Sequence, residues 1–79
     1  MTELNLIDLL AEGFECQRED VDESARINET PGWNSLSHIA LMMRLGDTGI
    51  PVPMTRIADL TTYEALAAFV SESGGRVVR

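Results

Sequence analysis

The stretch Gly32-Trp33-Asn34-Ser35-Leu36-Ser37-His38-Ile39 marks the start of a helix, and the other elements of the fold are predicted around it. The glycine breaks the preceding segment, and Asn34 and Ser35 are residue types that cap helix N-termini. A serine at a helix start lies near free backbone N–H groups and the positive end of the helix dipole, which favours an attached or bound anion. Ser35 is therefore either part of a cap or the attachment point of a phosphate ester.

The helix that begins here is apolar on two opposite sides. It is predicted to run from about Ser35 to Asp47, where Thr48-Gly49 ends it. A surface helix normally has one apolar stripe, and a domain of this size can hardly enclose a helix completely. Either both stripes belong to the core, or one faces outward as a docking surface. One stripe comprises Leu36, Ile39, Ala40 and Met43, and the other comprises Leu41, Met42 and Leu45 with His38 among them.

Outward from this helix, the chain predicts an all-α fold, a small bundle of three main helices and one short helix. The first helix is expected from a cap at Thr2 to about Phe14, followed by a long acidic connection over residues 15–32. A short helical turn is expected around 55–58. The sequence Thr61-Thr62-Tyr63-Glu64 predicts a capping box at the start of the last helix. Gly74-Gly75 ends that helix, and no alternation typical of strands stands out.

Length and composition indicate one small domain, 1–79, with its folded core at about 3–73 and a frayed tail at 74–79. No apolar run approaches a membrane span, and the start of the chain lacks an export signal, so a cytoplasmic, freestanding monomer is expected. Cys16 is the sole cysteine, which excludes an internal disulfide and a cysteine-based metal cluster. The acidic residues of the long connection lack the spacing of a calcium loop, so no metal site is predicted.

The charge of the chain is divided unevenly. The net charge is −7, which argues against binding to nucleic acid or to an anionic membrane surface. Residues 1–32 carry all of it, and residues 33–79 carry four acidic and four basic residues. The acidic part is a solvated surface or a face that steers basic partners.

Three segments together resemble the acyl carrier protein family. They are Trp33-Asn34-Ser35-Leu36 with its apolar helix, Gly49-Ile50-Pro51-Val52-Pro53, and Leu60-Thr61-Thr62-Tyr63-Glu64-Ala65-Leu66. The resemblance covers about residues 3–73 and implies a bundle of the acyl-carrier type. It implies a non-catalytic carrier with a covalent 4′-phosphopantetheine arm on Ser35, whose thiol holds acyl groups as thioesters for fatty-acid, polyketide or related biosynthesis.

The resemblance also implies roles for the residues around Ser35. The expected partners are a phosphopantetheinyl transferase and acyl-loading and acyl-processing enzymes. Leu41, Met42 and Leu45 would then form the core stripe. The residues that would contact partners are Asn34, Leu36, Ile39, Ala40 and Met43.

Two departures from the family bear on function. Asn34 stands where the family has aspartate, so a carboxylate used near the modifying enzyme and its metal is missing. The helix after Ser35 is also far less acidic than usual, which indicates a specialised carrier. An unmodified interaction module docking through Leu36, Ile39 and Met43 is the alternative.

Of the possible functions, an independent enzyme is the least favoured hypothesis. Ser35 and His38 lie one turn apart and could be imagined as nucleophile and base. No nearby acidic residue is placed to orient the imidazole, and His38 falls on the Leu41 and Leu45 side of the helix. A hydrogen-bonded core or boundary histidine is therefore predicted, with Trp33 covering the helix entrance.

Overall fold

A computed structural model describes residues 3–78 of the chain. Helices α1 (Leu6–Gly13), α2 (Ser35–Asp47), α3 (Met54–Ile57) and α4 (Tyr63–Glu72) follow one another, with a 3₁₀ turn at Arg18–Asp20. Two short strands, β1 (Glu3–Asn5) and β2 (Arg76–Val78), flank them. The four predicted helices and the long connection between the first two are present, but the predicted start of the first helix is wrong, because Glu3–Asn5 form a strand and α1 begins at Leu6.

The small fold with four helices is as predicted, but the all-α part of the prediction is not confirmed, because β1 and β2 form a two-stranded parallel sheet. Glu3 lies opposite Arg76 and Asn5 opposite Val78. Leu4 is buried in the core and Val77 packs partly against it, so the short ladder attaches both ends of the described chain to the same core. Within the tail predicted at 74–79, Arg76–Val78 form β2, and Arg79 lies outside the described residues.

The last helix ends in a way that directs the chain into β2. Gly74 has a φ of +85°, and its N–H donates to the carbonyl of Ser71. The N–H of Gly75 donates to the carbonyl of Val70 at 2.9 Å. This pair of bonds is the Schellman arrangement, which ends a helix and reverses the chain.

Two helix caps differ from the sequence prediction by a few residues. Asn5 caps α1 by accepting a hydrogen bond from the N–H of Asp8, and the predicted cap at Thr2 lies outside the described residues. Thr62 caps α4 by accepting from Ala65 N–H at 3.1 Å. The predicted capping box is therefore wrong by one residue, because the helix begins at Tyr63.

The core lies between α1, α2 and α4 and is closed by the long loop. Its fully buried large side chains are Leu6, Leu10, Trp33, Leu41, Leu45, Leu60, Leu66 and Val70. The loop is tied to the start of α4, since Ile27 N–H donates to the carbonyl of Thr61 and Tyr63 N–H to that of Ala25. These bonds fix the path by which the loop reaches Trp33 and α2.

Candidate functional site around Ser35

The predicted site serine occupies the first position of α2, and the helix has the predicted bounds Ser35–Asp47. Asn34 precedes it with an extended backbone, which is typical of an N-cap residue. Its side-chain oxygen accepts hydrogen bonds from Leu36 N–H at 3.0 Å and Ser37 N–H at 3.1 Å. The cap is thus supplied by Asn34, which leaves the Ser35 hydroxyl free of that task.

Ser35 and Ser37 differ in what their hydroxyls do. The Ser37 hydroxyl donates to the carbonyl of Gly32 at 2.6 Å and accepts from the N–H of Asn34 at 2.8 Å. Ser35 is exposed, and its hydroxyl makes no hydrogen bond within residues 3–78. Of the two serines, only Ser35 presents an accessible and unengaged nucleophile at the helix start. The sequence did not predict the role of Ser37 as the partner of Asn34 in a capping box.

The turn before the site is set by Pro31 and Gly32. The N–H of Trp33 donates to the carbonyl of Thr30 at 3.0 Å, so these four residues form a β-turn with proline and glycine at the positions that a type II turn favours. Gly32 has a φ of +87° and approaches Phe14 so closely that an added Cβ would lie 2.9 Å from the Cβ of that residue. Glycine is required here on both grounds.

Beneath the site, Trp33 and His38 form a buried hydrogen-bonded pair. The indole N–H of Trp33 donates to Nδ1 of His38 at 3.0 Å, and Nε2 of His38 lies 2.7 Å from the carbonyl oxygen of Ile57. An indole N–H is only a donor and a carbonyl only an acceptor, so the imidazole is neutral with its proton on Nε2. The prediction of a satisfied core histidine is confirmed. Both ring nitrogens are bonded to groups other than Ser35, so no Ser-His pair is formed.

The two apolar stripes of α2 divide between core and surface. Leu41 and Leu45 are fully buried and Met42 nearly so. On the other stripe the exposed fraction is 81% for Leu36, 54% for Ile39 and 69% for Met43, and Ala40 is also exposed. The outward face therefore consists of the residues that the resemblance places at partner contacts. Met54 on α3 is 87% exposed as well, and sequence reasoning did not single it out.

The charged side chains beside this outward face are few: two arginines that are each paired with a carboxylate, and the exposed Asp47 at the end of α2. Arg44 lies 3.7 Å from Glu12, and Arg56 lies 3.5 Å from Glu72 while its guanidinium stands 5.1 Å from the centre of the Phe69 ring. The first turn of α2 carries no acidic residue. The face is consequently apolar and nearly neutral, in contrast to the acidic loop over residues 15–32.

Other kinds of site are not formed around Ser35. In the described part of the chain, no three His, Cys, Asp or Glu side chains are grouped so that they could hold a metal ion. A groove of about 300 Å³ lies between the long loop and the start of α4, and its lining does not include Ser35 or the outward face of α2. No helix within residues 3–78 is long and apolar enough to cross a membrane.

The long loop also contains one carboxyl group with a shifted pKa. Ser24 donates hydrogen bonds to the Asp22 carboxylate from both its hydroxyl and its backbone N–H, and these bonds lower the pKa of Asp22 because they favour the charged form. Asp22 is exposed and lies in the acidic loop, away from the start of α2 in the chain. Its shift reflects a local turn and gives no sign of catalysis.

The chain matches no protein-family model, no curated protein and no solved structure. No similar protein therefore indicates a role for Ser35.

Proposed function

We propose that this protein is an acyl carrier that bears a 4′-phosphopantetheine arm on the hydroxyl of Ser35. The observation that carries the proposal is the contrast between the two serines of the first turn of α2. Ser37 is held in the helix cap, whereas Ser35 is exposed and its hydroxyl is unengaged within the described chain. An attachment point for a bulky group must be accessible from solvent, and Ser35 meets that requirement.

The residues present fit a phosphodiester at this position. Ser35 is the first residue of a thirteen-residue helix, so a negative charge on its oxygen would lie at the positive end of the helix dipole. Such placement is favourable by about 0.3–1 kcal/mol at an exposed site. Asn34 caps the helix without a charge of its own, so it does not repel the phosphate. When bound, the arm supplies the thiol on which acyl groups are carried.

The carrier role requires a surface that partner enzymes can recognise, and the outward face of α2 begins directly after Ser35. Leu36 is its most exposed member, next to the attachment point in the chain. Because this face is apolar and almost uncharged, partners would recognise it through apolar contacts more than through basic patches. This supports a specialised carrier rather than a general one for fatty-acid synthesis.

A second candidate function is an unmodified interaction module that uses the same face. Two observations favour it: Asn34 stands in place of the family's aspartate, and Leu36, Ile39 and Met43 form an exposed apolar stripe. An exposed apolar stripe of this kind can bind a partner helix by itself.

The intact mass of the protein after co-expression with a broad-specificity phosphopantetheinyl transferase distinguishes the two. The wild-type chain is expected to gain the mass of one arm, Ser35→Ala to gain nothing, and Ser37→Ala to gain one arm as the wild type does. Far-UV circular dichroism of each variant shows that it is folded. A folded wild-type protein that stays unmodified with this transferase and with the transferase of its own organism would leave the interaction module as the function.

A further inference from the structure

His38 joins two parts of the molecule through opposite sides of one ring. On one side Nδ1 accepts from the Trp33 indole at 3.0 Å, and on the other Nε2–H donates to the Ile57 carbonyl at 2.7 Å. Trp33 lies two residues before Ser35, and Ile57 ends α3. The imidazole therefore links the segment that leads into Ser35 to the helix beside it. His38 is 5% exposed and Trp33 1%, so the bond between them is shielded from water, whereas the bond to Ile57 is partly buried.

Protonation affects the two sides of the ring differently. An imidazolium carries a proton on Nδ1 as well, and this proton would point at the indole N–H, which is also a donor. The Trp33 bond is then lost, and a buried donor without a partner is costly. The bond from Nε2–H to the Ile57 carbonyl remains and becomes charge-assisted. The physical consequence is that Trp33 is released while α3 stays attached.

The charged groups around His38 do not cancel this effect. Both of its ring nitrogens are bonded to uncharged groups. On α2 itself the charged residues are Arg44, paired with Glu12 of α1, and the exposed Asp47. Arg56 and Asp59 flank Ile57, and Arg56 is paired with Glu72 of α4. On the Trp33 side, Glu15 follows Phe14, whose ring centre lies 5.3 Å from that of Trp33, and Glu64 lies on α4. These carboxylates are exposed, so the hydrogen bonds of the ring decide the outcome.

We propose that Trp33, His38 and Ile57 form a proton-operated latch on the segment that carries Ser35. With His38 neutral, the indole is held against α2, and the backbone of Asn34 and Ser35 is fixed by it. With His38 protonated, the indole is freed and the first turn of α2 loosens, whereas the contact between α2 and α3 persists. The hydrogen bonds of His38 are the evidence for the latch, and they do not depend on the proposed function. Its use, to change how readily partners reach Ser35, rests on the proposed function.

The chain allows an unambiguous test because it contains a single tryptophan and a single histidine. Nuclear magnetic resonance would follow the indole N–H of Trp33 and the ring of His38 from pH 8 to about pH 5.5, the range in which histidines change charge. The indole resonance is expected to move with the titration of His38, and the α3 amides to stay in place. Hydrogen exchange at the Leu36 and Ser37 amides, corrected for its intrinsic pH dependence, should become about five- to tenfold faster, as expected for the loss of one hydrogen bond.

Two variants keep the test decisive. His38→Gln retains a polar group without a titratable proton, so its indole resonance is expected to be independent of pH. Trp33→Phe keeps an aromatic ring and removes the donor, so exchange at Leu36 and Ser37 should be fast already at pH 8 and independent of pH. If one variant fails to fold, the other still carries the comparison with the wild type.

Three results would overturn the latch: His38 titrates and the indole does not respond, His38 does not titrate in this range, or the indole moves only when the circular dichroism of the whole domain is lost. None of these depends on the modification of Ser35. The rate of modification by the transferase at pH 5.5 and pH 8, in wild type and His38→Gln, then tests the use of the latch separately. If the indole resonance responds to His38 as expected but Ser35 is never modified, the latch is supported and only the carrier function is refuted.

Discussion

The side chains of Asn34 and Ser37 each accept a hydrogen bond from the other's backbone N–H, at 3.1 and 2.8 Å. This reciprocal pairing satisfies backbone donors at the start of α2. It also explains why Ser35, which lies between them, has a free hydroxyl. The residue that departs from the acyl carrier pattern, Asn34, is thus the one that organises the site.

Asn34→Ala and Asn34→Asp should separate the capping role of this residue from its charge. Asn34→Ala is expected to lower the free energy of unfolding by about 0.5–2 kcal/mol, because the first turn of α2 loses its cap. Asn34→Asp keeps the cap and should match or slightly exceed the wild-type stability, because a carboxylate is favourable at a helix N-terminus. Urea denaturation measures both.

The same pair bears on modification of Ser35. On the proposed function, Asn34→Asp restores the carboxylate of the family and should speed the transferase reaction, which mass spectrometry follows over time. Equal rates for Asn34→Asp and wild type would show that the amide at this position does not limit modification.

Gly32→Ala and Gly46→Ala should change stability in opposite directions. At Gly32 the positive φ and the contact with Phe14 make an alanine both strained and crowded, and a loss of about 1–3 kcal/mol is expected. Gly46 lies within α2 with nothing within 4 Å of an added Cβ, so alanine should stabilise by about 0.5–1 kcal/mol. Thermal or urea unfolding of the two variants gives the comparison, and a stable Gly32→Ala would contradict the described turn.

Leu36→Ala and Leu41→Ala provide a matched pair on the two faces of α2. Leu41 is fully buried, so its truncation should cost about 2–5 kcal/mol of unfolding free energy. Leu36 is 81% exposed, and its truncation should change stability by less than about 0.5 kcal/mol. If the outward face is a docking surface, Leu36→Ala should nevertheless weaken the interaction with the transferase, seen as a higher KM. An unchanged KM would remove Leu36 from that surface.

Ser24→Ala should raise the pKa of Asp22 toward its ordinary value. The variant removes the hydroxyl bond, the largest cause of the lowered pKa, and keeps the backbone N–H bond. Because the pKa of Asp22 is lower in the folded than in the unfolded chain, this carboxylate contributes stability above its unfolded pKa, and the contribution is lost as the pH falls through its folded pKa. A carbon-detected titration of Asp22 measures the change. Ser71→Ala, at an exposed serine of α4, is the control and should leave Asp22 unaffected.

Elements whose signals come from neighbouring residues could be predicted from the amino-acid sequence. The bounds of α2 follow from a capping residue at one end and Thr48-Gly49 at the other, so a prediction from neighbouring residues was sufficient. The two stripes of that helix follow from its period of 3.6 residues. Which stripe is buried depends on how the helix packs against the rest of the chain. The residue that caps a helix is harder to predict, because adjacent polar residues such as Thr61 and Thr62 are equally suitable N-caps. The backbone path decides between them.

Features that join distant parts of the chain could not be predicted from the sequence, because they depend on how the elements pack. The pairing of Glu3–Asn5 with Arg76–Val78 brings together the two ends of the described chain, and strands of three residues are too short to show an alternating pattern. The bonds of His38 to Trp33 and Ile57 depend likewise on how α2, its preceding turn and α3 pack. Hydrogen-bond capacity is a property of each residue, whereas the partner that satisfies it is set by which groups are buried together.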